Sequence, residues 1–344
     1  MITILLGWCV SQLHAQPPRI YGGYLFDQGV AGSPVNAGQY FNQHLFRAVY
    51  FVATADIARM PRNNGGLTIR VRQKRDNTEI TRLFNNQTEI GPEVQYLSAC
   101  GERISITKFT YLFQLYEFNP RIHLDANGYK VISDPLGVRV TTDNLASTAT
   151  PAVFYMEIGP VDQIEYKAGN AHTPTATFLP TDKYEICTGQ EINIPSPILK
   201  QGQPPSPNLT LKYSFARPHG IANELDWKSG FSDENFTGSS APFRIDANTG
   251  SIIGKADKVG VFSYVIKVEA FQGSTKYSEI RYEFVLSVRD CRPNPKPTIF
   301  VSKVGQPNVP ASTTVCQDSA IQLNLRGFAR GSTFQWQLGG VELA

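Results

Sequence analysis

Three groups of side chains have the types and spacing to do chemistry. Among the carboxylates, His123 beside Asp125, and Glu157, are the best candidates for a glycoside-hydrolysing pair. That reaction needs two carboxyl groups at a fixed separation, a spatial quantity the sequence leaves open. Against it, Asp125-Ala126-Asn127-Gly128 has the composition of a hairpin turn, with His123 a strand residue next to it. A second group is basic: Arg70 and Arg72, with Lys74, Arg75 and Arg82 and with Arg59 and Arg62 nearby. At strand spacing these form either an anion-binding stripe or the solvated face of an edge hairpin. The third is aromatic: Trp227, Phe231 and Phe236 lie in the Gly-rich, polar stretch 226–240. There they either meet a sugar or protein surface or pack into the core.

The motifs of common enzymes are missing. The sequence contains no Gly-x-Ser-x-Gly, phosphate loop, His-Glu-x-x-His or dinucleotide fingerprint. The five His are scattered singly and no Cys-x-x-Cys occurs, so a zinc site has no ligand set. Asp246 invites a calcium reading, but the acidic clusters such a site needs are missing around Asp162 and Asp290. The expectation is no catalytic residue, no metal and no cofactor.

Charge and cysteine narrow the partners. Lys plus Arg number 32 against 29 Asp plus Glu, a formal +3. That is too near neutrality to make nucleic acid or an anionic membrane the main partner. Met1–Ala15 carries an apolar stretch, Ile2 to Val10, and ends in Leu13-His14-Ala15, as a secretion signal does. The run is half of the roughly 20 residues a membrane span needs, so no insertion of the mature chain is expected. Cys9 leaves with that signal. Cys187 and Cys291 sit at the start and end of one strand-rich segment and are expected to pair in an oxidising compartment, whereas Cys100 and Cys316 have no evident partners.

The elements that must position these groups are strands. A content of 28 Gly, 23 Pro, 20 Phe and 15 Tyr suits half-buried pleated strands between tight turns. Leu67–Lys74 alternates strictly, Arg75-Asp76-Asn77-Thr78 is turn chemistry and Glu79–Phe84 returns, which together predict a hairpin. Further strands are expected at 45–53, 103–118, 137–142 and 152–158, with Phe109–Phe118 the one place where a helix competes. Pattern is lost between Asp162 and Pro174. Strands then recur at 191–194, 210–215, 243–245, 251–253, 260–271 and 276–288, the last two as a long hairpin around Gln272-Gly273-Ser274. A linker containing Pro293, Pro295 and Pro297 leads to a last region, 298–344, which holds half a sandwich, so the chain is expected to be a fragment. The predicted organisation is a signal (1–15), an N-terminal β module (16–165), an Ig-like or cadherin-like β-sandwich (174–291) and the start of a further Ig-like or PKD-like module (298–344). The fold class is all-β, as tandem β-sandwich modules joined by Pro-rich linkers.

Phe243–Gly254, F-R-I-D-A-N-T-G-S-I-I-G, followed by Gly260-Val261-Phe262, resembles the tail of bacterial cadherin-like and Ig-like modules. Arg19-Ile20-Tyr21-Gly22-Gly23, Val153–Pro160, Tyr184–Cys187, Val288–Cys291 and Val315–Trp336 extend the likeness. In this layout the chain resembles Bacteroidetes gliding-motility-associated or type IX-secreted multi-domain surface proteins with Ig-like and PKD-like repeats. The resemblance implies an exported, cell-surface, non-catalytic chain used in adhesion or display, with module one as recognition head and the repeats as spacers. It further implies a secretion machinery engaged through a C-terminal region absent from this sequence. The partner implied is an extracellular glycan or protein surface. A purely structural stalk, or the targeting arm of a secreted glycan-active enzyme, are the alternatives.

Overall fold

β-Branched and aromatic residues at alternate positions turn almost every element into a strand. The computed structural model describes residues 16–27, 42–62, 65–97, 103–114, 116–118, 125–147, 150–160, 185–194 and 209–291, together with strand segments within 298–343. The segment Met1–Ala15 read as a signal, Cys100, Cys316, His123 and the stretch from Asp162 to Pro174 lie outside these residues. The first half holds β1 (Arg19–Asp27), β2 (Asn42–His44), β3 (Phe46–Ala53), a 3-10 turn (Thr54–Arg59), β4 (Thr68–Gln73), β5 (Glu79–Leu97), β6 (Arg103–Phe113), β7 (Tyr116–Phe118), β8 (Tyr129–Ser133), β9 (Leu136–Arg139), β10 (Pro151–Ala152) and β11 (Tyr155–Ile158). The second half holds β12 (Glu185–Cys187), β13 (Glu191–Ile194), β14 (Leu209–Ala216), β15 (Arg244–Ile245), β16 (Ile252–Lys255), β17 (Gly260–Gln272) and β18 (Thr275–Arg289). Beyond them lie β19 (Thr298–Lys303), β20 (Gln306–Val309), β21 (Ile321–Arg326), β22 (Trp336–Leu338) and β23 (Val341–Leu343). Within the aromatic run, Phe109–Phe113 and Tyr116–Phe118 are strand, and among the described residues no helix is long and apolar enough to cross a membrane.

One sheet of 13 strands carries most of this, in the order β10-β9-β1-β3-β6-β5-β4-β8-β11-β18-β17-β14, with β12 beside β18. The two segments read from sequence as separate modules are therefore joined by backbone hydrogen bonds. The cause is the length of β18. At about 3.4 Å per residue, its 15 residues offer one edge to β17 and the other, in succession, to three strands. Those are β11 at Ser278–Ile280, β1 at Glu283 and β12 at Ser287–Arg289. The Gly23–Glu283 pairing also closes β1, β3, β6, β5, β4, β8, β11 and β18 into a ring of eight strands. That closure needs the two glycines of β1. A Cβ on Gly22, at φ +138°, would fall 2.2 Å from the Glu283 carbonyl oxygen, and one on Gly23 2.1 Å from that of Val49. Only a residue without a side chain lets β1 leave β9 and reach β18 there.

Inside, Tyr50, Phe109 and Tyr129 from the first half and Phe262, Tyr282 and Phe284 from the second belong to one core cluster. Rings meet across the junction, Tyr24 on Tyr282 at 4.8 Å and Phe51 on Phe284 at 6.0 Å. Each buried ring contributes about 3 kcal/mol by removal from water. A small sheet of β13, β16 and β15 adds Ile194 and Ile252 to the same cluster. Cys187, ending β12, is disulfide-bonded to Cys291 just past β18, with Cα atoms 5.2 Å apart. This is the pairing expected from the sequence. Among the final strands, β20, β19 and β21 form one sheet and β22 pairs with β23.

Candidate functional site: a charged face across the seam

Strand register determines which side chains share a face. Arg72 stands opposite Lys130, Lys130 opposite Glu157, Glu157 opposite Glu279, Glu279 opposite Glu269 and Glu269 opposite Lys212. Three carboxylates thus sit side by side on β11, β18 and β17, an arrangement that repels unless cations intervene. Lys276 supplies the main one. Its Nζ lies 2.8 Å from Glu157, 2.7 Å from Glu279 and 3.4 Å from Glu269. Lys74 Nζ donates to Glu157 at 2.7 Å, Tyr155 donates its hydroxyl to the other Glu157 oxygen at 2.5 Å, Arg281 donates to Glu279 at 2.7 Å and Lys267 reaches Glu269 at 3.3 Å. Burial pushes the Glu157 pKa up, but the hydrogen bonds from Lys276, Lys74 and Tyr155 outweigh it and bring it down to about 2. The same network raises Lys276 against its own burial. Glu157 is therefore held ionised, the opposite of what a general acid at neutral pH requires.

A second ion pair locks the seam from beneath the following loop. Arg139, on β9, meets Glu283 in a two-pronged pair, Nε to Oε1 at 2.6 Å and Nη2 to Oε2 at 2.9 Å, with both side chains buried. Its remaining donors go to the carbonyls of Pro151, Val153 and His219. The guanidinium is thereby paired with main-chain and side-chain oxygens of four residues from three parts of the chain. The His219 ring stacks on Tyr155 at 4.7 Å, and Arg281 lies over the same ring at 5.0 Å.

Beside this network the face opens into a cleft of about 110 Å³, lined by Arg70, Arg72, Ile132, Ser133, Asp134, Pro135, Val153 and Ile221. Arg70 Nε donates to Asp134 at 2.7 Å, and Thr68 donates its hydroxyl to the other Asp134 oxygen. Arg72 donates to Glu79 at 3.2 Å. Ile221 is 62% exposed and comes from the second half, while every other lining residue comes from the first. The chain matches no protein family, no characterised protein and no solved structure in comparison. The face is therefore interpreted from its own geometry.

The candidates named from sequence separate cleanly. Arg70 and Arg72 share the cleft. Trp227 is half-buried against the core, with its Nε1 donating to Asp233 at 2.7 Å, and Phe231 packs on Phe262 at 6.2 Å. Phe236 corrects the surface reading: it is 2% exposed and stacks on Phe243 and Tyr264 at 5.3 and 5.1 Å, because the loop after β14 folds it inward. Asp125 accepts backbone N–H bonds from Asn127 and Arg75 and shapes its turn. Asp246 accepts from Asn248 and Thr249 in the same way, with Gly250 at φ +73° closing that turn. Asp134, Ile221, Lys276, Glu279, Arg139 and Glu283 were not named from sequence. Alternation of charge with apolar residues in Glu279-Ile280-Arg281-Tyr282-Glu283 was the available signal, and it reads as an ordinary solvated face.

Proposed function

We infer that this chain is a non-catalytic exported protein of the cell surface, serving adhesion or display, with the 16–165 segment as recognition head. The observation that carries the reading is the Cys187–Cys291 disulfide in an all-β chain, a covalent tie that persists in oxidising surroundings. Two further features support it. Segment 185–291 contributes β12, β18, β17 and β14 to the large sheet and β13, β16 and β15 to a small one, with residues of both in one core cluster, and β12 running parallel to β18 supports an Ig-like reading of it. Of the two carboxylates singled out for acid–base work, Glu157 is engaged in ion pairs and Asp125 in backbone hydrogen bonds of its turn. The partner on this reading is an extracellular glycan or protein surface, and export follows the type IX route of the proteins the sequence resembles. The test is binding of the purified full chain to cells, glycan arrays and matrix. Retention on at least one surface, with no turnover of glycans, is the expected result; a folded chain that binds none refutes the reading.

A further inference from the structure

We propose that the cleft between Arg70, Asp134 and Ile221 is a binding site for a carboxylate-bearing sugar, a uronate residue of an acidic glycan. The proposal rests on the surface-binding reading above and names the ligand class. Four observations converge on it. The Arg70 guanidinium spends its Nε on Asp134, and among the described residues its two Nη groups have no hydrogen-bond partner, which leaves the paired donors that match a carboxylate. Asp134, bonded to Arg70 and Thr68 in the same cleft, offers oxygens to a hydroxyl, so donor and acceptor stand side by side as a sugar acid requires. Pro135, Val153 and the largely exposed Ile221 supply an apolar wall for the C–H face of a ring.

The fourth observation excludes a peptide laid as an added strand. β4 is paired on both edges, by β5 and β8, and β8 by β4 and β11, so neither strand that carries Arg70, Arg72 and Ile132 into the cleft offers a free backbone edge. A ligand here must bring its own polar groups to side chains. At about 110 Å³ the cleft has room for a few water molecules, and so accepts one sugar unit's substituent and leaves the rest of the glycan on the surface.

The experiment is calorimetric titration of the full chain with sodium glucuronate, glucose and sodium acetate, repeated on Arg70→Gln and Ile221→Ser, each checked for an unchanged unfolding midpoint. Loss of a hydrogen bond to a charged group weakens binding tenfold or more. Glucuronate is expected to bind at least tenfold more tightly than glucose or acetate, to lose tenfold or more with Arg70→Gln and several-fold with Ile221→Ser. Glucose binding as tightly as glucuronate overturns the proposal, because the carboxylate is then not read. Acetate binding as tightly overturns it as well, because the sugar is then not read. If the chain adheres to surfaces yet glucuronate does not bind, the site falls and the adhesion reading stands; if glucuronate binds and no surface does, the reverse holds. Should Arg70→Gln fail to fold, Ile221→Ser, a change at an exposed loop position, decides alone.

Discussion

Replacing Glu157 by Gln isolates the charge of one carboxylate without changing its shape. The side chain titrates at about 2 in the fold, against about 4.3 in an unfolded chain. A depressed carboxylate pKa adds stability that is complete above the unfolded value and disappears as pH falls through the folded one. Two to two and a half pH units at 1.36 kcal/mol each give about 3 kcal/mol, all of it present at pH 7 and lost between about pH 4.5 and pH 2. Glu157 is largely buried, so little of this is screened away by solvent. Wild type and Glu157→Gln should therefore differ by about 3 kcal/mol in urea unfolding at pH 7 and converge towards pH 2. Titrating groups outside the cluster around Lys276 contribute equally to both proteins and cancel in the difference. A gap that stays constant from pH 7 to pH 2.5 would refute the reasoning, since the effect would then be one of packing and not of charge.

Three more outcomes are expected. Cys187→Ser with Cys291→Ser opens a loop spanning 104 residues and should cost about 4–5 kcal/mol in the chain-entropy model, read by urea unfolding beside thiol counting on the unreduced wild type. Arg139→Met or Glu283→Leu alone should cost about 3–5 kcal/mol by leaving a buried charge unpaired, whereas the two together should cost clearly less than their sum; a double-mutant cycle on unfolding free energies measures this. Gly22→Ala should cost about 3 kcal/mol or more, from left-handed φ and a backbone clash, visible as a fallen melting temperature or loss of soluble protein.

Local alternation carried the strand reading a long way. Thr68–Gln73 and the β17–β18 hairpin lie almost where their patterns put them, and Gly273 takes the turn. Where a strand is buried on both faces the pattern fails. Arg19–Asp27 is buried from Ile20 onward and contains a glycine pair, so it has no alternation to mark it as a strand. β5 runs on past Phe84 through Asn85, Asn86 and Gln87, polar residues that signal a loop, but here Asn85 and Gln87 pair with β6 and the register shifts between them. The pairing of β11 with β18 joins residues more than 100 positions apart and leaves no mark on either segment. For the site, Arg70 and Arg72 were legible because they alternate on one strand. Asp134 and Ile221 were not, because Asp134 reaches the cleft through the pairing of β4 with β8, more than 60 positions apart, and Ile221 through the loop after β14.

The disulfide also decides how the molecule carries a load. Tension that enters at residue 187 and leaves at residue 291 runs through one sulfur–sulfur bond, so the strands between them bear none of it. Stretched out at about 3.4 Å per residue, that shielded span would lengthen the molecule by roughly 350 Å. An oxidised chain pulled from both ends should therefore be shorter at full extension by about that amount than a reduced one. On the adhesive role proposed above, the disulfide thus limits how far the chain lengthens between two surfaces as the load rises.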